Sequence, residues 1–301
     1  MKSVLIWGFY NQGNIGDDLM GMMLYEMLEE LGALPIIYTS NTRFSEMGYR
    51  TVNTLAGLKV DLVILGGGAF FKEASSSKSA IEEQVAMLGR FVNENAVPTH
   101  AMSIGRDGVD RLSAMSVARR SIIQGGNFRS VALRLKSDLE LKLPSAVYLP
   151  DIVLLTQFCS ERYKRLNPVE PVEFRNRTLI NLSRRSAINL PRTLWRVRRN
   201  QPAFFRAHTS MGNTGGEIAF PGLPVIEDES IVAQLGYIKA SRGVVSSKLH
   251  PGVIALSFGK PFEAISPRPK TIAFLSETPV DNIDFAELHG QYCFHMKKIL
   301  K

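Results

Sequence analysis

Cysteine is scarce: Cys159 and Cys293 are the whole complement of 301 residues. Two thiols cannot build a disulfide framework or, by themselves, a zinc site. A reducing, cytoplasmic setting is therefore expected. Long apolar runs are also lacking. The longest, Val60–Leu65 and Asp151–Leu155, are strand-sized and far short of the ~20 residues of a membrane helix. The N-terminus carries one lysine and then a strand-like run without a small-residue cleavage site, so it does not read as a secretory signal. Repeats and low-complexity tracts are missing too. A chain 45% hydrophobic and 21% charged is an ordinary globular one, which excludes disorder, collagen and coiled coil.

What the sequence does have is positive charge. The formal net charge is +8, a balance that favours an anionic partner: nucleic acid, a membrane surface or a phosphorylated metabolite. Much of it lies in the stretch from Arg175 to Arg206, where a solvated basic face is the competing explanation.

The length suits two domains. Ser3–Phe9 reads as a buried strand, Leu19–Leu31 as a helix stopped by Gly32, and Leu34–Tyr38 and Val60–Leu65 as strands. Helices are expected at Ile81–Asn93, Leu112–Ile123 and Ser137–Leu141, and strands at Thr99–Ile104, Ser130–Leu133 and Val147–Leu149. After a linker at Arg162–Arg177 the alternation resumes. Strands are expected at Thr178–Leu182, Ala203–His208, Gly243–Ser246 and Pro261–Ile265, and helices at Ser230–Lys239 and Pro251–Phe258. Alternating strands and helices predict an α/β fold with parallel sheets. The expected division is 1–160, an N-terminal Rossmann-like domain, and 161–279, a C-terminal one. The terminal helix within 280–301 would pack back on the first. In such units ligands sit outside the carboxyl ends of the strands. Ser75–Ser79 reads as a polar loop.

Five segments are candidates for chemistry. The loop from Gly8 to Asp18 holds Asn11, Asn14, Asp17 and Asp18. Its glycine spacing matches neither a Walker loop nor the dinucleotide fingerprint. Its two carboxylates would repel a phosphate, so it suits hydroxyl groups; helix capping is the competing reading. Gly66, Gly67 and Gly68 follow a strand and would let backbone amides approach a ligand, or make a tight turn. Ser247, Lys248 and His250 precede Pro251, a favoured first helical residue. There an anion site with a titratable imidazole is expected. Arg184 and Arg185 follow the strand from Thr178, where guanidinium forks match phosphate or carboxylate. Arg268-Pro269-Lys270 is a basic turn.

Together these segments resemble the polysaccharide pyruvyl transferase family. The resemblance rests on Asn14-Ile15-Gly16-Asp17-Asp18, on Gly66-Gly67-Gly68, and on Ser247-Lys248-Leu249-His250 with the run from Pro251 to Ile265. A weaker match spans Arg134–Leu155. It implies two Rossmann-like domains in a GT-B-like arrangement with the active site in the interdomain cleft. It also implies transfer of a pyruvyl group from phosphoenolpyruvate to sugar hydroxyls, forming a ketal, in exopolysaccharide or cell-surface glycan biosynthesis. His250 would be the acid/base, and Lys248 and Arg184 would hold the donor; the family more often has arginine at the position of Lys248. No cofactor and no metal are implied.

The chemistry of the residues agrees with that division of labour. Phosphoenolpyruvate needs cations, which Lys248, Arg184, Arg185 and Lys270 supply, with Ser247 beside them. A neutral saccharide or lipid-linked oligosaccharide needs hydrogen-bond partners, which Asn11, Asn14, Asp17 and Asp18 supply, with Gly67 and Gly68 offering backbone. His100 reads as a strand residue, His208 as a residue of the cleft, and His289 and His295 as packing or surface. Two alternatives stand beside this one. A GT-B glycosyltransferase with a nucleotide-sugar donor would use the same cleft, but the second half offers no clear base-stacking or ribose-binding carboxylate, with Glu227-Asp228-Glu229 as the exception. A nucleic-acid binder would use Arg192–Arg206, with Trp195, Phe204 and Phe205 stacking on bases, although no nucleic-acid motif is present. The same basic stretch suits peripheral contact with the cytoplasmic membrane face.

Overall fold

A computed structural model describes residues 1–73, 80–207, 216–227 and 230–301. The expected loop at Ser75–Ser79, His208 and Asp228-Glu229 lie outside the described residues. The chain divides into two compact units. Unit 1 comprises Met1–Asn11, Met20–Ile152 and Ala286–Lys301; unit 2 comprises Gln12–Leu19 and Val153–Phe285. Among the described residues no helix is long and apolar enough to cross a membrane.

Unit 1 is built on seven parallel strands: β1 (Ser3–Trp7), β2 (Leu34–Tyr38), β3 (Thr51–Val52), β4 (Leu62–Lys72), β5 (Thr99–Asp107), β6 (Phe128–Leu133) and β7 (Ala146–Tyr148). Their order is β3-β2-β1-β4-β5-β6-β7. The helices are α1 (Ile15–Glu30), α2 (Thr42–Glu46), α3 (Ala80–Glu94) and α4 (Val117–Ile123), with α10 (Phe285–Ile299) at the end of the chain. The central strands are apolar without alternation because both faces are covered. Val4, Leu5 and Ile6 of β1, and Val63 and Ile64 of β4, are fully buried. The Tyr292 hydroxyl of α10 donates to the Pro150 carbonyl at 2.7 Å.

The three glycines do not end a strand. β4 runs through them to Lys72, and Gly66 and Gly68 pair with Met102 and Ile104 of β5. Gly66 and Gly67 are glycines because α1 and its preceding loop lie directly on them. A Cβ on Gly66 would overlap the Tyr10 hydroxyl and come within 2.6 Å of Leu24 Cδ1; one on Gly67 would overlap Met20 Sδ. Gly67 also has φ of +80°, which a larger residue adopts only under strain.

Unit 2 repeats the plan with five parallel strands: β8 (Thr178–Asn181), β9 (Ala203–Phe205), β10 (Val225–Ile226), β11 (Gly243–Ser246) and β12 (Phe262–Ala264). Their order is β10-β9-β8-β11-β12. Its helices are α5 (Thr156–Arg162), α6 (Leu190–Val197), α7 (Ile231–Ala240), α8 (Leu249–Ser257) and α9 (Pro269–Glu277). Ile180, Leu182, Phe204, Val245 and Val197 form the core. Both sheets have the doubly wound order, in which the chain leaves two neighbouring central strands in opposite directions. That switch point lies between β1 and β4 in unit 1 and between β8 and β11 in unit 2, and it opens a crevice at the strand ends.

Two helix starts differ from expectation, and both bear on the site. α1 begins at Ile15 rather than Leu19, because Asn14 caps it. α8 begins at Leu249 rather than Pro251. Proline is tolerated throughout a first turn, where the amides have no intrahelical partner. His250 therefore sits inside the helix and Lys248 is its N-cap. The basic turn Arg268-Pro269-Lys270 is the start of α9, with Arg268 as N-cap.

Candidate functional site

In unit 1 the switch point is filled by the chain itself. Tyr10 is fully buried, and its hydroxyl donates to the Gly66 carbonyl at 2.6 Å. In unit 2 the corresponding place gathers most of the residues singled out from the sequence. β8 and β11 pair in register to their last residues, Asn181 and Ser246. The loops that follow are tied together: the Ser247 amide donates to the Asn181 carbonyl at 2.9 Å, and the Ser183 amide donates to Ser247 Oγ at 2.8 Å. The Lys248 amide donates to Ser246 Oγ at 2.9 Å, a serine turn that launches α8.

A buried carboxylate organises this end of the sheet. Glu217 Oε1 accepts from Asn181 Nδ2 at 2.7 Å, from Lys248 Nζ at 2.9 Å and from the Ala207 amide at 3.3 Å. Its side chain is 1% exposed and that of Lys248 19%. Burial pulls the Lys248 ammonium below the usual lysine range. The charge of Glu217 opposes that shift, and nearby Arg268 adds to it. Lys248 is thus half of an ion pair, and Arg184, Arg185, Arg268 and Lys270 carry the remaining charge around these strand ends. Arg184 and Arg185 are exposed and Lys270 is half-buried. The Arg184 amide is anchored on the Gly216 carbonyl at 2.7 Å.

The start of α1 completes the cluster. The Ile15 amide donates to the Ala207 carbonyl at 3.0 Å. Asn14 Oδ1 accepts from the Gly16 amide at 3.2 Å, and Asn14 Nδ2 donates to Asp17 Oδ2 at 2.7 Å. Gly16 lies against the half-buried His250 so closely that a Cβ there would overlap imidazole Nδ1 and Cγ and stand 2.5 Å from His250 Cβ. The first turns of α1 and α8 therefore meet within unit 2. Asp17 and Asp18 are 8% and 1% exposed, so they belong to the interior of that turn.

Asn11, Gly67 and Gly68 fall in unit 1 instead. Asn11 Oδ1 accepts from Thr39 Oγ1 at 2.7 Å and from the Ser40 amide at 2.8 Å, fixing the loop after β2. That loop borders a cavity of about 350 Å³ with Thr42, Thr51 and Asn53 among its lining residues. Every lining residue except Val52 carries a hydroxyl or an amide, and none is ionisable.

Two residues of the site were not anticipated: Asn181 and Glu217. Asn181 carried a signal, since an amide closing an apolar strand must find partners when buried. Glu217 carried none, because its role comes from segments brought together by the fold, and Gly16, though part of a motif singled out, gave no sign of its contact with His250. Arg134 and Asp151, within the weaker family match, form a buried ion pair at 3.2 Å in unit 1. Phe204 and Phe205 are sealed in the core of unit 2, at 0% and 1% exposure. They offer no face to a base, which removes the stacking surface from the nucleic-acid reading.

No protein-family model matches the sequence, and no curated protein matches it significantly. Solved structures do share the fold. A UDP-GlcNAc 2-epimerase from Neisseria meningitidis bound to UDP-GlcNAc superposes with a TM-score of 0.56 at 11% identity, over 100% of this chain and 99% of that one. The S. aureus MnaA–UDP structure gives 0.54 at 14% identity, over 97% and 90%. A Siraitia grosvenorii UGT transferase in complex with UDP gives 0.50 at 11% identity, over 93% and 83%. At these identities the likeness establishes the fold: α/β, two Rossmann-like units, of the GT-B type. The neighbours also overturn pyruvyl transfer from phosphoenolpyruvate. These neighbours are UDP-GlcNAc 2-epimerase, MnaA–UDP and UGT transferase structures and not pyruvyl transferases, so the phosphoenolpyruvate reading is withdrawn.

Proposed function

We propose that the protein is a sugar-transferring enzyme that binds a nucleoside-diphosphate sugar, a UDP-sugar by analogy with its fold neighbours, in unit 2. The observation that carries this reading is the cluster of Ser247, Lys248 and His250 at the N-terminus of α8, on the β8/β11 switch point. A helix N-terminus at a switch point is where α/β sheets hold phosphate groups. Arg184 and Arg268 border the same strand ends and suit the negative charge of a diphosphate. The Lys248–Glu217 pair keeps the loop rigid at little net charge.

The reaction follows from these parts. The bond from the anomeric carbon to the diphosphate oxygen breaks, and the oxygen keeps the electron pair. The helix N-terminus and the guanidinium groups stabilise the charge that develops there. An acceptor hydroxyl forms the new bond to the anomeric carbon and loses its proton, which His250 takes up as general base. The neutral cavity in unit 1, at the small end of the ~300–1,000 Å³ range of ligand sites, has a hydroxyl and amide lining that suits a saccharide.

The test is UDP release from UDP-glucose and UDP-GlcNAc, with and without a panel of neutral saccharide acceptors. Turnover that falls about 10²–10⁴-fold in His250→Ala, with UDP binding retained, supports the reading. Failure of the intact protein to bind UDP or either sugar nucleotide would overturn it.

A further inference from the structure

The arginine-rich helix α6, beyond Arg184 and Arg185, is untouched by the reading above. Leu190, Thr193, Leu194 and Val197 form its inner face: Thr193 and Val197 are buried, and Leu190 and Leu194 pack partly buried on the core of unit 2. Its exposed side carries Arg192 and Trp195, three residues apart in α6, with exposed Ile188 and Arg199 in the short 3-10 turns just before and after the helix. Ile188 is 87% exposed and Trp195 66%. Arg198 stacks on the Trp195 ring, 4.4 Å from its centroid. Arg196 is engaged by Glu263. From residue 188 to 200 there are four arginines and no carboxylate.

We infer that this face is a docking surface for an anionic lipid bilayer. A large aliphatic side chain and a tryptophan, held out among guanidinium groups, match the interfacial zone of a membrane. There tryptophan sits at headgroup depth and basic residues meet anionic lipid. A nucleic acid would use the charge but has no partner for Ile188. With Phe204 and Phe205 buried, a single exposed indole does not make a stacking track.

The experiment is co-sedimentation of the full chain with phosphatidylcholine vesicles containing one-third phosphatidylglycerol, against phosphatidylcholine alone. Tryptophan emission is read in parallel. Trp7, the other tryptophan, is buried at 1% exposure, so a blue shift reports Trp195. The expected result is at least tenfold stronger partitioning to the anionic vesicles, with a blue shift, weakened by salt. Removing a basic residue near an anionic surface lowers partitioning about fivefold, so R192E/R199E should lose roughly 25-fold or more, and W195A should lose binding with its charge intact. Both positions are exposed, and circular dichroism checks that the variants fold. Equal partitioning to both vesicle types, or full retention in R192E/R199E, would overturn the inference. So would duplex DNA binding lost in R192E/R199E without any vesicle-induced shift.

Discussion

Alanine at position 16 is the sharpest probe of the site's geometry. Inside a helix, Gly→Ala ordinarily stabilises by about 0.5–1 kcal/mol. Here the added methyl would stand 2.5 Å from His250 Cβ and overlap the ring. Rotating the imidazole away leaves the Cβ clash, so the first turn of α1 or of α8 must shift. Overpacking of this kind costs about 1–3 kcal/mol, giving a net loss of roughly 0.5–2 kcal/mol for Gly16→Ala. In a His250→Gly background the three nearest clashing atoms are gone, and the cost of the same alanine should fall by about 1–3 kcal/mol. The cost therefore depends on the background. Guanidinium unfolding followed by circular dichroism measures it, read as midpoint changes at constant m. A Gly16→Ala that is neutral in the native background, or equally costly in both, would refute the contact between the two helix starts.

Other substitutions test the remaining supports. Lys248→Met strands the Glu217 carboxylate, at a cost near or below the low end of the about 3–5 kcal/mol for breaking a buried pair. Adding Glu217→Gln should recover most of it in urea titrations. Arg134→Met should cost the full range, since both members of the Arg134–Asp151 pair are at least 98% buried by side chain, being 2% and 0% exposed. His100, buried at 8% exposure, has its pKa pulled down to about 4, first by burial and then by the nearby charges of His295, Arg129 and Lys2. The unfolded chain takes up that proton near pH 6.5. Stability from this group is present above pH 6.5 and falls as the pH drops toward 4, by up to about 3 kcal/mol. His100→Gln should flatten that slope in acid unfolding curves.

How much of this was legible depended on the range over which each residue acts. The strands β1, β4, β8 and β11 were readable because doubly covered parallel strands are simply apolar. The parallel α/β class followed from their alternation with helices. The position of His250 and Lys248 at a strand–helix junction was readable for the same local reason. The short strands β3 and β10 and the helices α2, α6 and α9 were not, since a few residues carry no period. α6 was hidden behind its arginines, although its inner residues repeat at helical spacing. The glycines at 66–68 looked like a ligand loop but answer to Tyr10, Leu24 and Met20, more than forty residues away in the chain. Glu217 escaped notice because a lone carboxylate reveals its partners only once β8, β9 and β11 stand side by side. The chemistry assigned from motif resemblance did not survive comparison with the fold's solved relatives.

Hydrogen–deuterium exchange in saturating UDP tests the location of the nucleotide site most directly. Residues 181–186 and 246–252 should gain protection, and Arg184→Ala should weaken UDP binding by about ten- to a hundredfold, as expected for one charge-assisted hydrogen bond of roughly 1.5–3 kcal/mol. Protection confined to unit 1, or none at any UDP concentration, would contradict the proposal.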